Sequence, residues 1–277
     1  MTLRPLLPSD VVVSREVTHR ALRSIGLDAE DPTPEQIARG EARIAHLQQT
    51  DPDSAWVAEV DGEVVGCALA LVREGMWFLS LLMVDVAHQG QGVGKELLDA
   101  SLRTATDRSW ILATVDPAAL RRYRRAGFDL VPCLTSSGTV ERSLIPTTSV
   151  RETTWAEHGD LVDDVCRKVR GAGMREDLGY LERLGNRLFV NDGGYAILRP
   201  AGLVSLGALD EASAADLLWT VLAESPEPVE VDWLTYNQQW AIDVCLDARL
   251  PLLKGEGHLF LRGQPPMSPY LPGGALG

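Results

Sequence analysis

Apolar and polar positions fall into blocks along this chain, and the blocks predict an alternation of strands and helices. Trp56 to Val60 and Glu63 to Val72 are apolar-rich runs joined by Asp61-Gly62, a favoured hairpin turn. Met76 to Val84 is a third such run and should extend the same sheet. Upstream, an extended segment from Thr2 to Leu7 precedes a polar start at Ser9-Asp10 and a long helical stretch. Thr33-Pro34-Glu35-Gln36 then supplies a capping hydroxyl, a proline at the first helical position and a glutamine three residues after the cap. The spacing predicts a helix to about Gln49, with Ile37, Ile44 and Leu47 on its buried side. After Val84 the texture changes to His88-Gln89-Gly90-Gln91-Gly92-Val93-Gly94-Lys95, which no strand would tolerate. Val93, Leu97, Leu98, Leu102 and Ala105 keep a helical stripe beyond it, Trp110 to Val115 reads as a strand, and Pro117 to Ala126 as a helix stopped by Gly127.

The second half repeats this order in shortened form. Val150-Arg151 mirrors Leu3-Arg4, and a helical region follows from about Asp160. Arg187 to Asn191 and Tyr195 to Leu198 flank Asp192-Gly193-Gly194 as a second hairpin. Gly202 to Asp210, the helix Glu211 to Ala223, the strand Val229 to Leu234 and a helix from Asn237 to Asp247 complete the parallel. Two halves of one element order imply a tandem duplication, with its boundary near the polar stretch Ile145-Pro146-Thr147-Thr148-Ser149. The proline-rich tail, Gln264-Pro265-Pro266 through Pro269 to Gly274, should be an extended arm on the other domain or on a partner chain. Gly171-Ala172-Gly173 and Gly255-Glu256-Gly257 read as turns.

Composition narrows the function classes. The chain has 277 residues, 45% hydrophobic and 23% charged, enough for a substantial core without disulfides or metals. The net charge of −13 argues against a general nucleic-acid binder and is shared by both halves. No apolar run reaches the length of a membrane span, and the start, Met1-Thr2-Leu3-Arg4-Pro5, lacks the order of a secretory signal. A cytoplasmic protein with no membrane partner is therefore expected. Cys67, Cys133, Cys166 and Cys245 form no C-x-x-C pair and the five histidines are scattered, so no metal site is expected.

The chemistry centres on Gln89-x-x-Gly92-x-Gly94, between a strand and an amphipathic helix. Glycines let the backbone approach a ligand closely, and the unpaired amides of a helix start suit an anionic pyrophosphate. The loop lacks the first glycine of a dinucleotide fingerprint and the Gly-Lys-Ser/Thr arrangement of a P-loop. About thirty residues later a strand leads into Asp116-Pro117 and a helix carrying Tyr123-x-x-x-Gly127-Phe128. Together, in this order over Trp56 to Val131, these motifs resemble the GNAT superfamily of N-acetyltransferases, and the rest of the first half is similar more loosely.

The resemblance implies an α/β fold of two tandem GNAT-like domains, each a mixed, largely antiparallel sheet flanked by helices. Residues 1–147 would be a catalytic domain that binds acyl-coenzyme A, and 148–277 a degenerate copy. It implies that main-chain groups of Leu82, Met83 and Val84 bond the pantetheine arm and the acyl carbonyl. Amides from Gln89, Gly90, Gln91, Gly92, Val93, Gly94 and Lys95 would hold the pyrophosphate, and Tyr123 would direct its hydroxyl at the coenzyme A sulfur. Asp116 stands where the family often has Asn. The implied activity is transfer of an acetyl group from acetyl-CoA, as co-substrate and without a metal, to a primary amine of a small molecule or peptide. A non-catalytic acyl-CoA sensor is the alternative. Glu59 and Ser80 lie on strands near the expected cleft, but neither stands out as a general base.

In the second half the loop position reads Leu209-Asp210-Glu211-Ala212-Ser213, without the glycine pattern, and Asp243 stands roughly where Tyr123 does in the first. This half should not bind coenzyme A. Its expected roles are covering the first domain, shaping the acceptor cleft or making a homodimer. Trp233, Tyr236 and Trp240 fit either core packing or an acceptor site.

Overall fold

The computed structural model describes residues 1–27 and 31–277. By packing, the chain divides into Met1–Ile111 with Leu276, and Leu112–Ala275 with Gly277. The boundary expected from the repeated element order lies at 147/148; a duplication boundary and a packing boundary need not coincide.

The first unit opens with β1 (Thr2–Pro5), α1 (Val11–Ser24) and α2 (Pro34–Thr50). It continues through β2 (Ala55–Val60), β3 (Glu63–Arg73), β4 (Met76–Val84), α3 (Val93–Ser101) and the start of β5 (Arg108–Thr114). Strands β1 to β4 pair in sequence order, each antiparallel to the next, and β5 joins β4 in parallel. The hairpin of β2 and β3 turns on Asp61 and Gly62, both at positive φ (51° and 85°), a conformation that suits this pair of residue types. Gly66 on β3 lets α3 settle on the sheet: a Cβ there would lie 2.9 Å from Leu97 Cδ1 and 3.0 Å from the Met83 carbonyl oxygen. Val93 and Leu97 of α3 are thereby buried against Ala58, Val65 and Ala68. Each of these two side chains contributes about 1.5–3 kcal/mol by leaving water. That packing sets the start of α3 close beyond the end of β4.

α2 begins as its sequence predicts. The Thr33 hydroxyl accepts from the Gln36 amide at 3.3 Å, and the Gln36 side chain accepts from the Thr33 amide at 2.8 Å. Replacing Thr33 with Ala is expected to cost about 1 kcal/mol, read as a lower urea midpoint at unchanged slope. The far end of α2 is held by a buried ion pair, Arg73 with Asp51 at 2.9 Å, and Asp51 also accepts from the Val72 amide at 2.8 Å.

The second unit runs through α4 (Pro117–Arg125), β6 (Asp129–Gly138), β7 (Arg151–Thr153), α5 (Trp155–Val169) and α6 (Arg175–Arg183). Then follow β8 (Arg187–Asn191), β9 (Gly194–Arg199), β10 (Gly202–Ala208), α7 (Glu211–Glu224), β11 (Val229–Leu234), α8 (Gln239–Asp247), β12 (Leu252–Arg262) and β13 (Tyr270–Leu271). Strands β7 to β10 pair in sequence order, as β1 to β4 do, with β13 at the far edge beside β10. β6 pairs antiparallel with β12 on one side and β11 on the other. Residues of β11, α7 and α8, among them Val231, Leu217, Leu218 and Val244, build one core.

Two expectations change here. Gly255 and Gly257 lie inside β12 and are not turns. The tail was expected to lie on the other domain or on a partner chain, but Tyr270 and Leu271 pair with Gly207 and Leu206 of their own unit. Gln238 fastens it by donating to the carbonyls of Met267 at 2.6 Å and Tyr270 at 2.5 Å. All four cysteines are free and buried. Among the described residues, no helix is long and apolar enough to cross a membrane.

Candidate functional site

Pairing between β4 and β5 runs from Met76 with Arg108 to Leu79 with Ile111. At this level β4 carries an extra residue: Leu69 of β3 stands opposite Leu81, but Ala70 stands opposite Leu79, which leaves Ser80 bulged. Arg43 of α2 secures the bulge, donating from Nε to Ser80 Oγ at 2.9 Å and from its terminal nitrogen to the Ser80 carbonyl. Ser80 is thus a positioning element for the strand. Arg43 gave no signal in the sequence, because its partner lies 37 positions away.

Beyond the bulge, β4 continues past its paired segment with β5. The Asp85 amide donates to the Val65 carbonyl at 2.8 Å, which marks these two as a hydrogen-bonded pair of the antiparallel ladder. Such pairs alternate, so Met83 with Cys67 and Leu81 with Leu69 also face each other through their main chains. The N–H and C=O groups of Leu82 and Val84 therefore point away from β3. The Val84 carbonyl accepts from Gln89 Nε2 at 3.1 Å, as this direction requires. Of the three residues expected to use main-chain groups, Leu82 and Val84 present theirs outward and Met83 spends its own on β3.

The glycine loop follows. Gly90 and Gly92 have φ of 77° and 90°, and a Cβ at either would meet nothing within 4 Å. Backbone conformation, not crowding, demands glycine here. Gly92 is the N-cap of α3 and no side chain caps it. The first amides of a helix have no intrahelical acceptor, so those of Gly92, Val93 and Gly94 converge at the positive end of the α3 dipole. Gln91 donates to the Ala87 carbonyl at 3.0 Å, bracing the loop. Lys95 is exposed and paired with Asp99 at 2.6 Å, one turn along the helix. Asp85 also braces this region, accepting from Arg20 at 2.7 Å and from the Ala87 amide at 3.2 Å. Partial burial opposes ionisation of Asp85, yet these bonds hold its carboxyl below the ordinary range.

Glu59 is tied to Arg4 at 2.8 Å, and Arg4 also bonds Asp10 at 2.6 Å. Its carboxylate serves a structural ion-pair cluster.

In the second unit, Asp116 caps α4, accepting from the amides of Ala118 at 3.1 Å and Ala119 at 3.2 Å. Tyr123, two turns on, is buried, its ring edge-on to Phe260 with centroids 5.3 Å apart. Burial pushes its hydroxyl up to about 12, with the Asp116 charge adding and Arg122 opposing. Among its arginine neighbours, Arg124 turns back to the Phe128 carbonyl at 2.6 Å and to Asp129 at 2.5 Å. The start of α7 contrasts with that of α3. Asp210 accepts from the Ser213 amide at 2.8 Å and the Ser213 hydroxyl at 2.9 Å, so a carboxylate already caps this helix. Asp243, on α8, is exposed. Among the described residues, no group of three or more His, Cys, Asp or Glu could hold a metal ion.

Comparison with known proteins adds to this geometry. Residues 22–128 match the model of the acetyltransferase (GNAT) family. An acetyltransferase of Agrobacterium fabrum is 34% identical over 100 residues, 35% of this chain and 66% of that protein. This chain therefore matches just under two thirds of its relative's length. Among solved structures, a Pyrococcus horikoshii protein described as a candidate acetyltransferase superposes with a TM-score of 0.79 at 17% identity, over 100% of this chain and 95% of its own. A tandem GNAT protein from the clavulanic acid biosynthesis pathway gives a TM-score of 0.57 at 14% identity, over 96% and 99%. A GCN5-related N-acetyltransferase of Kribbella flavida gives 0.58 at 17%, over 94% and 71%. At such identities the structural likenesses carry the fold alone. That fold is a mixed α/β arrangement with helices flanking the sheets.

Proposed function

We propose that the protein, whose residues 22–128 match the model of the acetyltransferase (GNAT) family, is an acyltransferase that moves an acetyl group from acetyl-CoA to a primary amine by direct attack. One observation carries the reading. In the first unit, the uncapped amides of Gly92, Val93 and Gly94 follow a strand end whose Leu82 and Val84 main chains face outward. The first group suits a pyrophosphate and the second an amide-bearing pantetheine arm and an acyl oxygen. No acidic side chain caps these amides, so the residues present fit the co-substrate.

The chemistry follows from these groups. A neutral amine attacks the thioester carbonyl, a C–N bond forms, and negative charge grows on the carbonyl oxygen. An outward amide of β4, that of Leu82 or Val84, stabilises this oxygen. As the C–S bond breaks, the Tyr123 hydroxyl supplies a proton to the departing sulfur. The amine nitrogen gives up its own proton to solvent. A tyrosine is protonated at neutral pH, as a proton donor must be, and burial moves the Tyr123 hydroxyl further from ionisation.

We assign residues 1–147 to the catalytic domain and 148–277 to a degenerate copy. The Asp210 cap on α7 supports this division, because a carboxylate occupies the amides a phosphate would need. Free, buried thiols and a co-substrate of central metabolism fit a cytoplasmic setting.

The test is calorimetric titration of acetyl-CoA into the purified chain, followed by thiol release with a panel of primary amines. One site per chain with amine-dependent release is the expected result. Absence of binding would sink the transferase reading, and two sites would overturn the assignment of the second domain.

A further inference from the structure

Two polar groups of the second unit lack partners at one place. Tyr123 is buried, and its hydroxyl has no hydrogen-bond partner among the described residues. His258, on β12, is half-buried, and its Nδ1 is enclosed with no hydrogen-bond partner. Buried polar groups are nearly always bonded, so each exception asks for a cause. Tyr123 and His258 both belong to the second unit, so their relation is internal to it.

The strand register puts both on one face. From His258 opposite Pro132 to Leu261 opposite Asp129 the pairing of β12 with β6 is regular, so side chains alternate. His258, Phe260 and Arg262 therefore share a face. The Tyr123 ring meets Phe260 there, and the Arg262 guanidinium lies over the Phe128 ring, 4.8 Å from its centroid. The other face is taken at Gly257, where a Cβ would lie 2.7 Å from Trp233 Cη2.

The same contacts give a direction. Going from Tyr123 to Phe128 follows β12 from Phe260 to Arg262, so the start of α4 lies toward His258. Helix side chains tilt toward the helix N-terminus, which sends the Tyr123 hydroxyl the same way. The Asp116 cap at that end acts on this hydroxyl, adding to the rise that burial causes in its pKa. His258 lies roughly 7 Å from Phe260 along the strand, a length that a tilted phenol and one water span. The charged groups on the surrounding elements are Asp116 and Arg122 of α4 and Lys254 and Arg262 of β12. β6 turns Leu130 and Pro132 to this face, and β5 carries no charge beyond Arg108.

We propose that His258 is a positioning residue for Tyr123, joined to its hydroxyl through one water. The water donates to the phenol oxygen and leaves the Tyr123 proton free for the departing sulfur. As the O–H bond breaks and the S–H bond forms, that donated bond holds the growing phenolate charge. Burial opposes this charge, so a donor to the oxygen is what the site needs. A neutral imidazole accepts the water's second O–H at Nδ1, and an imidazolium donates to the water's oxygen. In either state the water can face Tyr123. The proposal rests on the transferase reading for its use in the reaction, and on the second unit alone for the contact.

The test reads Tyr123 by carbon NMR of the full chain labelled at tyrosine Cζ, with Tyr123→Phe identifying the signal. An imidazole changes charge between about pH 5 and 8, and the Tyr123 signal is expected to step with it. His258→Leu and His258→Asn should each abolish the step. In turnover, His258→Leu should lower kcat about tenfold, the worth of one hydrogen bond to a charge, with acetyl-CoA affinity unchanged. His258→Asn sets an amide where Nδ1 stands and should keep kcat within about threefold of the parent. On a Tyr123→Phe background, His258→Leu should change kcat less than about twofold, because partners in one network are not additive. A parent signal without the step, a step kept by both variants, or equal kcat losses for Leu and Asn would overturn the proposal. A step that behaves as expected in a chain that releases no thiol from acetyl-CoA would instead overturn the transferase reading and leave the contact standing.

Discussion

Tyr123→Phe is expected to lower kcat about a hundredfold, within the range a positioned general acid contributes, while the Kd for acetyl-CoA stays within about twofold of the parent value. The substitution removes only the hydroxyl. The ring keeps its edge-on packing against Phe260, so the fold gives no reason for a loss of binding. Pre-steady-state thiol release beside equilibrium titration separates the two quantities. An equal fall in both would make Tyr123 a packing residue and leave the leaving group without its proton donor. The pH dependence has a definite sign. Burial raises the folded-state pKa from 10 to about 12, so the folded protein retains this proton where the unfolded chain has lost it. The stability tied to that proton is fully present below pH 10 and is lost as pH rises from 10 through 12. The alkaline limb of turnover should likewise owe nothing to Tyr123 below about pH 11.

Gly92→Asp should weaken acetyl-CoA binding by a factor of about a hundred or more. Two effects act together. At φ 90° an L-residue costs about 1–2 kcal/mol even though its Cβ would meet open space. The carboxylate would also stand beside the amides of Val93 and Gly94, where it competes with and repels the pyrophosphate. The start of α7 has such a carboxylate, where Asp210 accepts from the Ser213 amide. Gly92→Ala carries the backbone penalty alone and should cost roughly tenfold or less. Equal losses for the two variants, measured by calorimetry, would mean that loop shape rather than anion binding explains the effect.

Local patterns made much of the first unit legible. The hairpin at Asp61-Gly62, the run Met76–Val84 and the capped start of α2 each depend on neighbours within a few positions, and each stands where the pattern puts it. The glycine loop was legible for the same reason, since positive φ at Gly90 and Gly92 restricts residue choice directly. The β12 strand was not. Gly255 and Gly257 read as a turn because glycine's usual cause is local, whereas here it is the approach of the Cys133 and Ala113 carbonyls from other strands. The tail misled similarly: its prolines forbid a central strand but not a two-residue edge strand held by Gln238. Arg43 on the Ser80 bulge and Trp233 on Gly257 are long-range contacts that no periodicity announces.

The outward direction of alternate residues in β4 has a consequence in time as well as in space. Amides of Leu81 and Met83 are committed to β3, while those of Leu82 and Val84 face away from it. Deuterium from solvent should therefore label Leu82 and Val84 far faster than their immediate neighbours, a two-residue rhythm along a single strand. Acetyl-CoA lying along that edge would slow the fast pair and leave the slow pair as before. The strand would then carry its own record of occupancy, residue by residue, whatever amine the acetyl group finally reaches.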